Sequence, residues 1–281
     1  MPLVSIVTPV LNGDRYVELC LRSVLEQTYT NIEHIFVDGG STDSTLHTLD
    51  RYSREYPARI RYVAGQDDGI GTALNKGMKL AQGEVLGWID SDDVYEPDAV
   101  AAAVSFLMQH RDAYFVFGEC NIIDAWGKQI GKFPIKDFDL HEVVTKRDYV
   151  VFCASFFRRE VFEATGGFNR IANDTDFWIR VALRYKLHRI PTVLANWRLH
   201  KDSVSAFKNT RGRAMIRTQL REDAGLCLKY GGHRYSRRYL RYVFFQIQDK
   251  LGIHYYLNFV ILAKLRQNRL AVRLLRAVGA D

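Results

Sequence analysis

The stretch GEVLGWIDSDD, Gly83 to Asp93, limits the possible folds more than any other part of the chain. Val85 to Ile89 is an apolar run bounded by Gly83 and by carboxylates, the pattern of a strand buried on both faces of a mostly parallel sheet. It ends in Asp90, Ser91, Asp92 and Asp93. Three carboxylates within four residues repel one another unless a positive charge sits among them, and a hard divalent cation with oxygen ligands meets that need. In open α/β sheets, ligands gather at the carboxyl ends of strands. The competing reading is a solvated acidic turn, because Pro97 suits a first helical position and acids favour helix starts.

The chain before this stretch repeats the same arrangement. Val4 to Thr8 alternates and is β-branched, a strand that Pro9 is expected to end. Asn12, Gly13 and Asp14 form a loop, with Asp14 placed to cap a helix carrying Tyr16, Cys20, Val24 and Gln27. His34 to Val37 is a second strand. It runs into VDGGSTDST, where Ser41, Thr42 or Asp43 can cap the next helix. The Gly39-Gly40-Ser41 turn is either an ordinary turn or a cradle of backbone N–H groups for an anionic or hydroxyl-rich ligand. Ile60 to Ala64 is a third strand, followed by GQDDGIG and a helix over Ala73 to Ala81 that Gly83 stops. This alternation begins a doubly wound α/β fold with right-handed crossovers. Every candidate ligand residue falls at the same end of its strand.

After Pro97, DAVAAAVSFLMQH is a helix, Tyr114 to Gly118 a strand, and Asn121 to Pro134 a hairpin with Ala125-Trp126-Gly127 near its turn. Asp148 to Phe157 is apolar and expected to be buried. A short helix over Arg158 to Ala164 leads to Gly166-Gly167-Phe168. In ANDTDFWIRVALRYKL, Asp174 or Thr175 caps a helix with Trp178, Val181, Ala182 and Tyr185 on its inner face. Asp174 and Asp176 therefore lie where the helix dipole favours a charged carboxylate. Pro191 to Ala195 is a last strand, NWRLHKDSVS a loop, and the chain from Arg211 onwards is helical, basic and aromatic.

Charge is unevenly spread. The chain carries +7 overall, but from Lys208 to Asp281 there are 16 Lys and Arg against four acids, so residues 1–207 carry a net −5. A basic tail on an acidic body points to anionic partners. No apolar run reaches the length of a membrane span; Leu257 to Ala263 is far too short. Four scattered cysteines (Cys20, Cys120, Cys153, Cys227) argue against a zinc ribbon or disulfide framework and fit a reducing compartment. MPLVSIVTPV carries no basic leader, so no signal peptide is expected.

VSIVTPVLNG, VDGGSTDST, DDGIGTALNKG, GEVLGWIDSDD, GGFN, NDTDFWIR and WRLHKDSVS follow one another over residues 4 to about 205 in the order and spacing of a known family. By these segments the chain resembles a family 2 glycosyltransferase of GT-A fold, similar to bacterial enzymes that build O-antigen, capsule and other surface glycans. The resemblance implies a Rossmann-like three-layer α/β/α sandwich with a helical C-terminal appendage. It implies a catalytic domain over residues 1–206, with a nucleotide-sugar-binding half (1–98) and an acceptor-binding half (99–206), and a basic helical region over 207–281. It further implies inverting, metal-dependent transfer of a sugar from a nucleotide-diphosphate donor, UDP by default, to an acceptor hydroxyl on a glycan or lipid-linked precursor.

On this resemblance, Asp92 is the metal ligand and Asp90 serves the donor ribose and the metal, which would be Mn²⁺ or Mg²⁺. Ser91, Pro9, Val10, Leu11, Asn12, Asp38, Gly39, Asp67 and Lys76 belong to the donor site. Asp174 is the general base, with Asp176 the runner-up, or else a helix acid that holds a neighbouring Arg. His200 is a candidate contact to metal or diphosphate, or a surface-loop histidine. Gly167, Phe168 and Trp197 mark the acceptor region, whereas Trp178 reads as core. The chain departs from the family at Gly39 (often an acid), at Leu74 (often Arg) and at Asn173 (usually an acid), which blurs the donor.

A single-addition enzyme is expected, since a processive synthase would carry transmembrane helices and a QxxRW segment. The expected location is cytoplasmic, peripheral on the inner face of the membrane through the anionic-surface affinity of residues 207–281, with a homodimer contact as another use of that region. The alternatives are a non-catalytic nucleotide-sugar binder, or a nucleic-acid binder through the basic tail. The latter leaves the acidic front half unexplained, and no nucleic acid is expected as a partner.

Overall fold

The computed structural model describes residues 1–146, 152–169, 174–201, 203 and 210–250, with the side chains of 210–216, 219 and 247–250 outside the description. Asn173, the segment 148–151 of the expected buried run, and the tail beyond residue 250 lie outside the described residues. The chain divides into two compact units. The first comprises Met1–Asn121, Phe133–Phe138 and Val150–Trp197; the second comprises Ile122–Lys132, Asp139–Tyr149 and Arg198–Asp281.

In chain order the elements are β1 (Val4–Val10), α1 (Val17–Leu25), β2 (Ile32–Asp38), α2 (Thr45–Glu55), β3 (Ile60–Ala64), α3 (Ile70–Leu80), β4 (Val85–Trp88), β5 (Val94–Tyr95) and α4 (Ala99–Gln109). There follow β6 (Phe115–Ile123), β7 (Gln129–Lys132), α5 (Leu140–Thr145), β8 (Ser155–Arg158), α6 (Arg159–Thr165), α7 (Asp174–Ala182), β9 (Leu187–Arg198), α8 (Thr210–Lys229) and α9 (Arg237–Lys250). The sheet runs β3-β2-β1-β4-β8-β6-β9-β5, with β7 paired to β6. Its first four strands are parallel, while β8 pairs antiparallel with both β4 and β6.

Every residue of β1 and β2 is buried, as expected for strands covered on both faces. Val4 and Ile6 pack with Cys20 and Val24 of α1 and Val100 and Val104 of α4. Val7, pointing the other way, packs with Leu74 and Met78 of α3 and Val181 of α7. Helices thus cover both sides of the sheet, and burying each such aliphatic side chain contributes about 1.5–3 kcal/mol. Gly83 sits where a Cβ would lie 2.6 Å from the Leu3 carbonyl oxygen, so only glycine lets the turn after α3 pass the start of β1.

Two local expectations fail. Pro9 does not end β1, which continues to Val10. Pairing with β4 stops at Val7, so proline's missing N–H lies beyond the ladder on that side. Asp14 does not cap α1: the cap residue is Tyr16, with no side-chain cap bond, and both Tyr16 and Val17 donate to the Gly13 carbonyl. At α2 the position before the helix is Ser44, and Asp43 Oδ1 accepts from Thr45 N at 3.0 Å.

In the second unit, the hairpin leading into β7 turns at Asp124, whose Oδ1 accepts from Trp126 N and Lys128 N. Helices α8 and α9 pack on each other. Between them Arg238 and Asp223, both almost fully buried, form an ion pair at 3.6 Å. Among the described residues, no helix is long and apolar enough to cross a membrane.

Candidate active site

Parallel register brings the ends of the first strands to one rim. Val10 pairs with Asp38, and Asp38 with Ala64. The loops beyond are in contact: a Cβ on Gly13 would lie 3.3 Å from Ser91 Oγ, on Gly39 3.8 Å from Leu11, and on Gly40 3.6 Å from Gln66. Pro9, Val10, Leu11, Asn12, Gly39, Asp67 and Ser91 therefore share this rim. The β1 and β2 loops are also stitched together, with Asn12 N donating to Ser41 Oγ and Thr42 N to Asn12 Oδ1, each at 2.8 Å. Lys76, half-buried, lies on α3, the helix that follows the β3 loop in the chain.

Asp38 is fully buried and its oxygens are engaged locally. Oδ1 accepts from Gly40 N and Ser41 N at 2.9 Å, and Oδ2 from the Ser41 hydroxyl. What the structure displays is a carboxylate that shapes the turn. By contrast, Asp67 Oδ2 and Asp90 Oδ1 are enclosed oxygens with no hydrogen-bond partner.

Beyond β4, one carboxylate oxygen from each of Asp90, Asp92 and Asp93 falls within 4.8 Å of the others. Asp93, only 1% exposed, joins the two acids singled out above. Its signal was adjacency in the DSDD run. Burial first, then the charges of Asp92 and Asp174, push the Asp90 carboxyl up from 3.8 to about 8. Without a cation this group is a neutral acid at neutral pH. Three carboxylates, with the enclosed Asp90 Oδ1 among their oxygens, fit a hard divalent ion such as Mg²⁺ or Mn²⁺.

Asp174 opens α7, with its Oδ1 accepting from Thr175 N at 2.8 Å, and its charge reaches Asp90. Asp176 is 6% exposed and ion-paired with Arg180 at 2.8 Å, while Arg180 also donates to the Thr165 carbonyl. The sequence left Asp176 open as a base or an Arg partner; it is an Arg partner here.

Of the two aromatics expected to mark an acceptor region, Phe168 is a core side chain and Trp197 packs against the core half-buried. Phe168 is 5% exposed and packs on Trp88 and Phe177, with ring centroids at 4.6 and 4.3 Å. Its ring is thus unavailable to stack on a sugar at the surface. Gly167 precedes it in the left-handed region, with φ +78°. Trp197 is half-buried, edge-on to Phe133 at 5.5 Å. Trp178 is core, as expected, stacked on Trp88 at 5.6 Å. His200 belongs to the second unit, where its N–H donates to Ser203 Oγ at 3.1 Å and its carbonyl accepts from Ser203 N.

A mixed sheet with flanking helices and an acidic rim at the ends of its parallel strands defines the GT-A class of nucleotide-sugar transferase folds. A family model described as glycosyl transferase family 2 matches residues 5–166, and the chain belongs to that family. Chondroitin synthase of Escherichia coli is 32% identical over 216 residues, 74% of this chain and 30% of that protein. The chain spans about a third of the length of the first curated relatives it matches. Staphylococcus aureus TarS residues 1–349, solved with UDP-GlcNAc, superposes with a TM-score of 0.61 at 18% identity, covering 80% of this chain and 66% of that one. The mannosyltransferase PcManGT of Pyrobaculum calidifontis, solved with GDP-Man and Mn²⁺, gives 0.62 at 20% identity, covering 100% and 76%. At these identities the two structures establish the fold.

Proposed function

We propose that this chain is an inverting, divalent-metal-dependent, non-processive glycosyltransferase. It moves a sugar from a nucleotide diphosphate, UDP in preference, to an acceptor hydroxyl on a lipid-linked or surface-glycan precursor. The observation that carries this reading is the group of three carboxylates with an orphaned Asp90 oxygen, within electrostatic reach of Asp174. The UDP-GlcNAc of TarS and the GDP-Man with Mn²⁺ of PcManGT support a nucleotide-sugar donor and a divalent ion.

Asp92, Asp90 and Asp93 would hold the ion, whose chemistry when bound is to neutralise charge on the diphosphate leaving group. The Asn12–Ser41 loop pair and Asp67 would receive the nucleoside, and Lys76 a phosphate. Asp174 takes the proton of the attacking hydroxyl as its oxygen bonds to the anomeric carbon. The opposite bond breaks, and its electron pair leaves on the nucleoside diphosphate. One displacement inverts the centre, so one base suffices. Arg180 disfavours Asp176 for this role. A peripheral membrane site is supported by α9, on which Arg237, Leu240, Arg241 and Phe244 share one face.

The test is nucleotide release from a panel of UDP- and GDP-sugars with Mn²⁺, Mg²⁺ or EDTA. Cation-dependent release that EDTA abolishes is expected. Donor binding without turnover on any member would instead favour a non-catalytic nucleotide-sugar binder.

A further inference from the structure

Asn75 has no role in the reading above, yet its side chain makes a paired contact across the fold. It lies on α3 immediately before Lys76. Its Nδ2 donates to the Phe168 carbonyl and its Oδ1 accepts from the Phe168 N–H, both at 2.8 Å. An amide that engages both backbone groups of one residue fixes that residue's orientation as well as its distance. Gly167 makes room for it: φ is +78°, and a Cβ there would lie 2.3 Å from Asn75 Oδ1.

Phe168, held in this way, meets both halves of the chemistry. Its ring lies 4.3 Å from Phe177, three residues after Asp174 on α7 and so on the neighbouring turn. Edge-on at 4.6 Å it meets Trp88, the last residue of β4 and two residues before Asp90. Aromatic interiors are close-packed and transmit displacement rather than absorb it.

We propose that Asn75 is a positioning residue for Asp174, acting through Phe168 and Phe177 to hold the base carboxylate at its working distance from the donor rim. This rests on the reading of Asp174 as the base. A misplacement of 1 Å can cost about 10²-fold in rate.

The test uses the full chain with Mn²⁺ and the panel donor that gives the fastest nucleotide release. It compares wild type, Asn75→Ala, Asp174→Asn and the double variant, with donor KM and melting temperature alongside. Asn75→Ala should lower kcat by about tenfold or more and leave KM within about twofold, because donor contacts stay in place. In the Asp174→Asn background the same change should add less than about twofold, since nothing is left to position. Should Asn75→Ala fail to fold, Asn75→Asp takes its place: it keeps the acceptor for the Phe168 N–H and loses the donor, and an intermediate, equally non-additive loss is expected. Equal losses in both backgrounds, or a lowered melting temperature with kcat intact, overturn the proposal alone. Undiminished release by Asp174→Asn, or no release from any donor, overturns the base reading and this proposal with it.

Discussion

Asp90, Asp92 and Asp93 crowd together at the end of a buried strand, and their crowding has thermodynamic consequences. A carboxyl whose folded value stands above its unfolded one favours the fold when it is protonated. The metal-free protein should therefore lose stability as pH rises from 3.8 towards about 8, and a divalent cation, which needs the ionised group, should restore it. Melting temperatures with EDTA should fall across that window for wild type and stay flatter for Asp90→Asn; parallel curves would remove the assignment. Mn²⁺ binding below about pH 8 should release about one proton, read by calorimetry in buffers of different ionisation enthalpy. Asp92→Ala should cut cation-dependent nucleotide release by at least about 10²–10³-fold with the melting temperature held. Full turnover would take Asp92 out of the metal site.

The elements differ in how openly the sequence announces them. β1 to β4 and the helices between them were legible because burial on both faces leaves long apolar runs. Their boundaries shifted where neighbours decided the matter, as at Pro9, whose position past the β4 ladder no local pattern reveals. β5 was missed because two residues paired antiparallel to β9 carry no periodicity. α5 was missed although its signal is present: Asp139 accepts from Glu142 N at 2.8 Å, the offset of a capping box. At the site, the acids were readable as types at strand ends. The burial of Phe168 and its clamp by Asn75 were not, because a contact across 93 residues leaves no spacing rule. Gly83→Ala should test how tightly the turn after α3 is built. A Cβ 2.6 Å from backbone should destabilise the fold by about 1–3 kcal/mol or more, measured by thermal melting, and a neutral result would mean the turn can shift.

At the scale of the molecule, the excess positive charge lies in the C-terminal part of the sequence, and the acidic rim lies in the first unit. On α9, Leu240 and Phe244 are 46% and 51% exposed one turn apart, with Arg237 exposed beside them. Cosedimentation with vesicles rich in anionic phospholipid should exceed that with zwitterionic vesicles and weaken with salt, each arginine near the surface contributing about 1 kcal/mol. Leu240→Glu with Phe244→Glu should lower it; unchanged pelleting would assign this face elsewhere. Trp88 and Trp178 lie nearly parallel, 5° between their planes, and Trp88 is two residues from Asp90. Coupled indoles so close to the carboxylates give the protein an intrinsic optical reporter. Titrating in a cation while following near-ultraviolet circular dichroism should register occupancy with no label attached.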